Sequence, residues 1–409
     1  PTFSGGGLGG RIQEFTWDGE VVSNFTLANE DRLLHHDVAM LPNGNILAIA
    51  WERKGVEEVR RAGRRPELTP EAGLWPDMVV EFERQSPHEA RIVWEWHMWD
   101  HTIQNYDDTL DNYGDPSEHP DLIDVNGDLA PSEISEEELA QLQVIGYMPA
   151  DTTPEDVQSD FMHTNAISYN ADLDQIVLSI LNYNEIWIID HSTTTDEAAG
   201  STGGRWGRGG DLLYRWGNPR VYGRGDGTQQ RLFGQHDPRW IPQGMPGAGH
   251  LLVFNNNLNG SEGPYSAVFE FALPTDDEGL FVVPDTEAFG PETLSWSYTA
   301  PDKSSMFSSF ISGAHRLANG RTMITSGAQG RFLEVTSEGE IVWEYWTPYS
   351  GDVKMPDGSR PHPTASFTYP VFRATKIFPD HPALAGRDLT PLDPQPPIVL
   401  PSSSAEDSP

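Results

Sequence analysis

The stretch "FISGAHRLANGRTMITSGAQGRFLEVTSEGEIVWEY", Phe310–Tyr345, reads as one module: a histidine, an Asn-Gly turn, a short apolar strand, then a hairpin ending in aromatic residues. It is not alone in the chain. "GRIQEFTWDGEVVSNF" near the N-terminus matches "GRFLEVTSEGEIVWEY" in its Gly-Arg start, the apolar residue after it, Glu, polar turn with Gly-Glu, and second strand. Similar hairpins are "MVVEFERQSPHEARIVWEW", "EIWIID" with "GDLLYRW", and "SAVFEF" with "LSWSY", which makes five units. Between hairpins, histidine-bearing loops precede short apolar runs: His35 and His36 before "GNILAIA", His163 before "QIVLSI", His236 before "HLLVFN", His315 before "RTMITS". The fifth hairpin is followed by His362 and "FTYPVFRATKIF". Apolar runs this short, bounded by turn residues, are strands buried on both faces.

Repeats of about 40–60 residues with four strands each are the pattern of a β-propeller, so the fold class is all-β. The chain opens with an outer hairpin and ends with an inner one, which predicts one blade shared by both termini. Residues 1–378 form the propeller in this reading, with an acidic insertion at about 97–160 and an extended Pro- and Ser-rich tail at 379–409. Within the insertion, Ser135 to about Ile145 reads as a capped helix. A long loop on a rigid scaffold is expected to be a lid or a binding element.

The 409 residues carry 62 Asp+Glu against 26 Lys+Arg, a net charge of −36, which excludes nucleic acid or anionic lipid bound through a basic surface. No cysteine is present, so disulfides and thiolate metal sites are excluded. No apolar run reaches the roughly 20 residues that span a bilayer. The acidity and the start at "PTFSGGG" lead to the expectation of an exported, periplasmic or extracellular protein. Composition leaves the oligomeric state unread.

A single histidine at a strand start fixes a turn; four at repeat positions converge on one site. Imidazoles offer metal ligation, acid–base work, and nucleophilic attack with anion stabilisation. Asn165 and Asp237 follow their histidines closely enough to hold an imidazole tautomer, or to cap a turn. In the insertion, Asp124, Asn126 and Asp128 alternate oxygen side chains as a calcium loop does, so a structural Ca2+ is an expectation there, set against a solvated acidic turn.

As an ordered set, "HHDVAMLPNGNILAIAW", "DFMHTNAISYNADLDQIVLSILNYNEIWIIDHSTTT", "GGDLLYRWGNP", "RLFGQHDPRWIP", "GHLLVFNNN" and "ISGAHRLANGRTMITSG" resemble the bacterial arylsulfate sulfotransferases that do not use phosphoadenosine phosphosulfate. The resemblance runs to "GRDLTP" and implies six blades rather than the five counted. It also implies transfer of a sulfuryl group from a phenolic sulfate donor to a phenolic acceptor through a sulfohistidine, with no cofactor required. By resemblance His315 is the nucleophile, His163 and His236 donate to the sulfuryl oxygens, and His36, with His35 as runner-up, lines the site. The family's arginine is absent from "FNNNLNGSEGPYSA"; Arg316 is the nearest stand-in, although an i+1 neighbour on a strand faces the other way. The competing functions are a propeller that binds a protein or glycan without catalysis, and an aryl sulfate hydrolase.

Overall fold

The structure, a computed structural model, describes residues 3–128, 134–144, 147–276, 279–347 and 370–391. The chain divides into two compact units, residues 1–240 with 272–293, and residues 241–271 with 294–409.

The first unit opens with a hairpin of β1 (Arg11–Phe15) and β2 (Val21–Thr26). Its turn is closed by Thr16 N–H donating to Glu20 O at 2.8 Å and Gly19 N–H donating to Thr16 O at 3.0 Å. Next comes an antiparallel sheet of β3 (Arg32–Met40), β4 (Ile46–Glu52), β5 (Asp77–Ser86) and β6 (Glu89–His97), in that order. The β3–β4 turn has the same form, with Leu41 N–H to Asn45 O at 2.9 Å, and Gly44 at φ 89°. That left-handed position is why Asn-Gly recurs here. Every residue of β4 is buried, as an apolar run packed on both faces should be. Leu34, Ile46, Ala48, Met78, Val80 and Phe82 form a core onto which Phe25 of the first hairpin packs. Each large side chain buried there contributes roughly 1.5–3 kcal/mol.

After α1 (Val56–Arg61), between β4 and β5, the insertion contributes the parallel pair β7 (Thr102–Ile103) and β8 (Ile123–Asp124), then α2 (Glu136–Val144) and α3 (Pro154–Ser159). The expected helix is α2, and Ser135 Oγ accepts Glu138 N–H at 3.1 Å as its cap. A second sheet follows, β9 (Thr164–Asn170), β10 (Gln175–Ile180), β11 (Glu185–Asp190) and β12 (Tyr214–Trp216), and the unit's last strand is β13 (His236–Trp240). Two buried aspartates tie the sheets together: Asp37 Oδ2 accepts Ile167 N–H at 3.1 Å, and Asp77 Oδ2 accepts Thr164 N–H at 2.8 Å. The insertion is pinned rather than lid-like over its β8 end. Arg215, buried against Glu185 at 2.5 Å, donates to Leu122 O at 3.0 Å, and the Tyr183 hydroxyl donates to Asp124 O at 2.9 Å.

The second unit holds β14 (Leu251–Gly260), β15 (Gly263–Phe271) and β16 (Trp296–Tyr298), and the sheet β17 (Gly313–Arg316), β18 (Thr322–Ser326), β19 (Arg331–Val335), β20 (Ile341–Trp346). The turns of the opening module repeat those of the first unit, with Leu317 N–H to Arg321 O at 2.8 Å and Thr336 N–H to Glu340 O at 2.9 Å. Phe254, Val268, Tyr298, Ile324, Leu333 and Val335 form its core.

All-β sheets of four antiparallel strands are therefore present as expected of blades. The expected last inner strands fare differently. His362 and its surroundings lie outside the described residues, and residues 370–378 carry no strand. Pro370 has no N–H to give a ladder, and the segment makes isolated bonds instead: Val371 N–H to Gly327 O and Ser312 N–H to Phe372 O, both 3.0 Å.

Candidate functional site

The backbone turns left-handed within β3, just before β9 and at the second residue of β13. His36, His163 and Asp237 have φ of 53°, 55° and 55°, values rare for non-glycine residues and concentrated at functional sites. At His36 the β3–β4 register slips between Leu34 and Val38, so the kink is a bulge that turns the ring out of the strand's alternation. His315 differs: the kink before β17 falls on Ile311 and Ser312, and His315 sits in regular pairing opposite Met323. The four histidines expected at equivalent positions are thus not equivalent in backbone.

In the first unit His36 and His163 meet edge to face, ring centroids 4.4 Å apart. Three segments build this contact. Thr153 caps α3 with a reciprocal bond to Asp156, Pro154 starts the helix, and the helix ends at Asp160. Residues 160–163 are then clamped by the β10–β11 turn, through Asn182 Nδ2–H to Asp160 O at 2.9 Å and Leu181 N–H to His163 O at 3.2 Å. Asp160 Oδ2 meets His163 Nδ1 at 2.5 Å, while its Oδ1 accepts the Trp51 indole N–H at 2.9 Å. Trp51 in turn stacks on His35, centroids 4.1 Å apart and planes 10° from parallel. His35 Nδ1 lies 2.7 Å from His36 Nδ1, and His35 Nε2 lies 3.1 Å from Asp77 Oδ1. The His35 Nε2–Asp77 contact lacks hydrogen-bond geometry; with the His35 proton on Nε2, facing that carboxylate, His35 Nδ1 accepts from His36 and a lone pair is left on His36 Nε2. That buried Nε2 has no hydrogen-bond partner.

The two rings are driven in opposite directions. Burial, then His163, His35 and His236, hold His36 well below the usual histidine value, so it is neutral. Burial also opposes charge on His163, but the adjacent Asp160 carboxylate, with Asp77 behind it, more than offsets this and raises its pKa. A neutral imidazole with a lone pair beside a ring inclined to hold a proton is a nucleophile or base next to an N–H donor.

The N-terminal segment closes over these groups. Phe3 stacks on Trp51 at 6.0 Å, and Ser4 Oγ bonds Thr152 Oγ1 at 2.9 Å. A Cβ on Gly7 would stand 2.3 Å from the His36 ring.

His236 is buried on β13, its Nδ1 donating to Gly234 O at 3.1 Å, and it is near enough to His36 to help hold that ring neutral. Asn165 does not hold an imidazole, because its Nδ2 donates to Gln235 O at 2.9 Å and so supports the backbone just before His236. Asp237 Oδ1 accepts Arg239 Nε–H at 2.6 Å.

In the second unit His315 Nε2 accepts the Lys376 N–H at 3.3 Å, which places a neutral ring's proton on Nδ1. Arg316 is buried in an ion pair with Glu270, donates to Gly320 O at 3.3 Å and lies over the Trp296 ring at 5.3 Å. It is a packing residue, not the stand-in for a substrate-binding arginine.

The calcium reading also gives way. Asp128 meets the Arg64 guanidinium with both oxygens, at 2.5 and 2.6 Å, where a cation would have to sit. Asn126 Oδ1 accepts Arg65 N–H at 2.9 Å, its Nδ2 donates to Gly63 O at 3.1 Å, and Asp124 Oδ1 accepts Asn126 N–H at 2.9 Å. Burial pushes the Asp124 carboxyl up to about 6. Among the described residues no three His, Asp or Glu side chains converge as metal ligands, and no helix is long and apolar enough to cross a membrane.

Asp160, Asp77 and Trp51 were not singled out as polar members of the site from sequence. Asp160 carries the one local signal, an acid three residues before a histidine.

Comparison with known proteins adds the following. No curated protein matches the chain. Among solved structures, a protein of unknown function from Bacteroides caccae is 11% identical, with 82% of this chain and 74% of that one covered and a TM-score of 0.38. Virginiamycin B lyase from Staphylococcus aureus is 10% identical over 83% of this chain and 64% of the lyase, with a TM-score of 0.33. Neither likeness bears on the chemistry. The family model is of another order, since it spans residues 4–349 and both units: the chain belongs to the arylsulfotransferase (ASST) family.

Proposed function

We propose that the protein transfers a sulfuryl group from an aryl sulfate ester to a phenol in two steps, through a sulfohistidine. The observation that carries this reading is the pairing of a neutral His36 with a His163 whose pKa is raised by Asp160, in ring contact and both on a strained backbone, in an arylsulfotransferase chain. In the first step a histidine lone pair forms the N–S bond as the aryl O–S bond breaks, and the departing phenolate takes a proton from His163. In the second, the acceptor oxygen forms the new O–S bond, the N–S bond breaks, and the acceptor's proton returns to His163. Sulfuryl transfer spreads charge over non-bridging oxygens, so N–H donors aimed at them supply most of the catalysis. His163 Nε2 and His236 are proposed for that role.

The family resemblance assigns the nucleophile to His315, whereas His36 has the free buried lone pair. Intact-protein and peptide mass spectrometry after incubation with donor alone decides between them by the position of the added SO₃. The activity itself is tested with 4-nitrophenyl sulfate, with and without phenol. Release of nitrophenol that depends on phenol is expected. Acceptor-independent release would make the protein a hydrolase, and binding of the ester without release would overturn catalysis. Export to the periplasm or beyond is proposed on the acidity alone.

A further inference from the structure

The contact that organises the histidine pair is made by a residue to which the proposed chemistry gives no part. Asp160 stands at the end of α3 with each carboxylate oxygen spent on one ring N–H: Oδ2 on His163 Nδ1 at 2.5 Å and Oδ1 on Trp51 Nε1 at 2.9 Å. Its backbone carbonyl is also held, by Asn182. The side chain is almost fully buried, and the bonds to His163 and Trp51 hold both of its oxygens. His163 is the more open partner, with 13% of its side chain exposed against 3% for Asp160.

We propose that Asp160, braced by Trp51, is the positioning residue of the site: it fixes the His163 ring with Nδ1–H on the carboxylate and Nε2–H directed away from it, toward substrate. The inference rests on the functional reading above for the word substrate, but not for the geometry. A carboxylate that accepts Nδ1–H fixes both the tautomer and the tilt of an imidazole, and keeps its charged form available when the proton returns. Trp51 adds a second constraint. Its indole N–H removes the freedom of the other oxygen, while its ring face holds His35 at 4.1 Å. One tryptophan therefore braces His163 through Asp160 and His36 through His35.

The titratable groups facing His163 are Asp160, Asp77 and His36, with His35 and His236 beyond His36 and Tyr147 beyond Asp160. Of these, only Asp160 touches its Nδ1 among the bonds described. The test is a titration of the histidines by NMR in full-length protein with 15N-labelled imidazole rings, with His163 assigned from a His163→Gln sample. In Asp160→Asn the His163 midpoint should fall and the far-downfield Nδ1–H resonance should disappear, whereas Trp51→Phe should shift both in the same direction by less. In the nitrophenol assay Asp160→Asn should lower kcat by at least about tenfold with little change in KM, and Asp160→Glu should restore part of it. An unchanged His163 midpoint and resonance in folded Asp160→Asn, or in Trp51→Phe if the first variant does not fold, overturns the proposal. Because the resonance is read without turnover, its loss in Asp160→Asn beside a wild-type protein that shows no transfer would sink the sulfotransferase reading and leave the positioning role standing.

Discussion

His36 and His163 share a left-handed backbone and a ring contact, yet one is held neutral and the other toward charge, and only their neighbours differ. The histidines themselves were legible in the sequence because each heads a repeat. The bond between Trp51 and Asp160 was not, since the two are 109 positions apart and nothing in either local pattern names the other. Arg316 follows His315 on a strand and so faces away from it, as its i+1 position implies, while the partner it does meet, Glu270, lies 46 positions away and outside any local pattern. One histidine outside the repeat pattern couples folding to pH. His97, at the end of β6, lies 3.3 Å from Glu52 and 3.7 Å from Glu95. Burial pulls its pKa down, but those two carboxylates prevail and push it up to about 9 from 6.5. A raised folded value stabilises fully below the unfolded value near 6.5 and is lost as pH climbs through 9. Glu52 and Glu95, both lowered, contribute above their unfolded value near 4.5 and lose it as pH falls. Wild type should therefore exceed His97→Gln in stability by roughly 1–2 kcal/mol near pH 6, a figure reduced for solvent screening, and the two should converge by about pH 10. Melting curves across that range check it, and a gap that stays constant with pH would show that His97 only packs.

Among elements, the hairpins were readable because their turns announce themselves: Thr-x-x-Gly-Glu and Leu-x-Asn-Gly close with one hydrogen-bond pattern each time they occur. The segment "SGGG" was not, because a run of glycines reads as linker and its partners are all distant. Here the glycines are the means of close approach. A Cβ would fall 2.9 Å from Trp51 at Gly5, 2.7 Å from Tyr147 at Gly6 and 2.3 Å from His36 at Gly7. Gly7 also has φ 73°. Gly7→Ala should lift the segment from His36, at a cost of about 1–3 kcal/mol. Gly19→Ala is its control, since that residue has φ 85° but nothing within 4 Å, so it bears the backbone strain without the clash. Carbethoxylation of His36 by diethyl pyrocarbonate, located by peptide mass, should be several times faster in Gly7→Ala than in Gly19→Ala. Equal rates would mean that the glycine segment does not cover the ring.

For the molecule as a whole, the fold class was legible in pattern and the charge in composition. All-β character followed from short buried runs between turns, and four-stranded sheets followed from hairpins alternating with those runs. The insertion's attachment did not follow, because Arg215 and Tyr183 donate to its backbone carbonyls, which have no side-chain signature. Net charge is the one global quantity the sequence states outright, and −36 sets the last prediction. Excess acids repel one another most in the compact state, where they are closest. Acid is a poor remedy, because Glu52, Glu81, Glu95 and Glu334 are held below their usual range by ion pairs that protonation would break. Salt is the better one. The screening length shrinks from about 30 Å at 10 mM to about 10 Å at 100 mM and about 3 Å at 1 M, so distant repulsions vanish before contact pairs such as Arg215–Glu185 weaken. The melting temperature at neutral pH should rise steeply between roughly 10 and 100 mM NaCl and more slowly toward 1 M, with KCl giving the same curve because the effect is screening rather than ion binding. A melting temperature that is flat or falls over the first interval would mean that local ion pairs, not net repulsion, dominate the electrostatics of this fold.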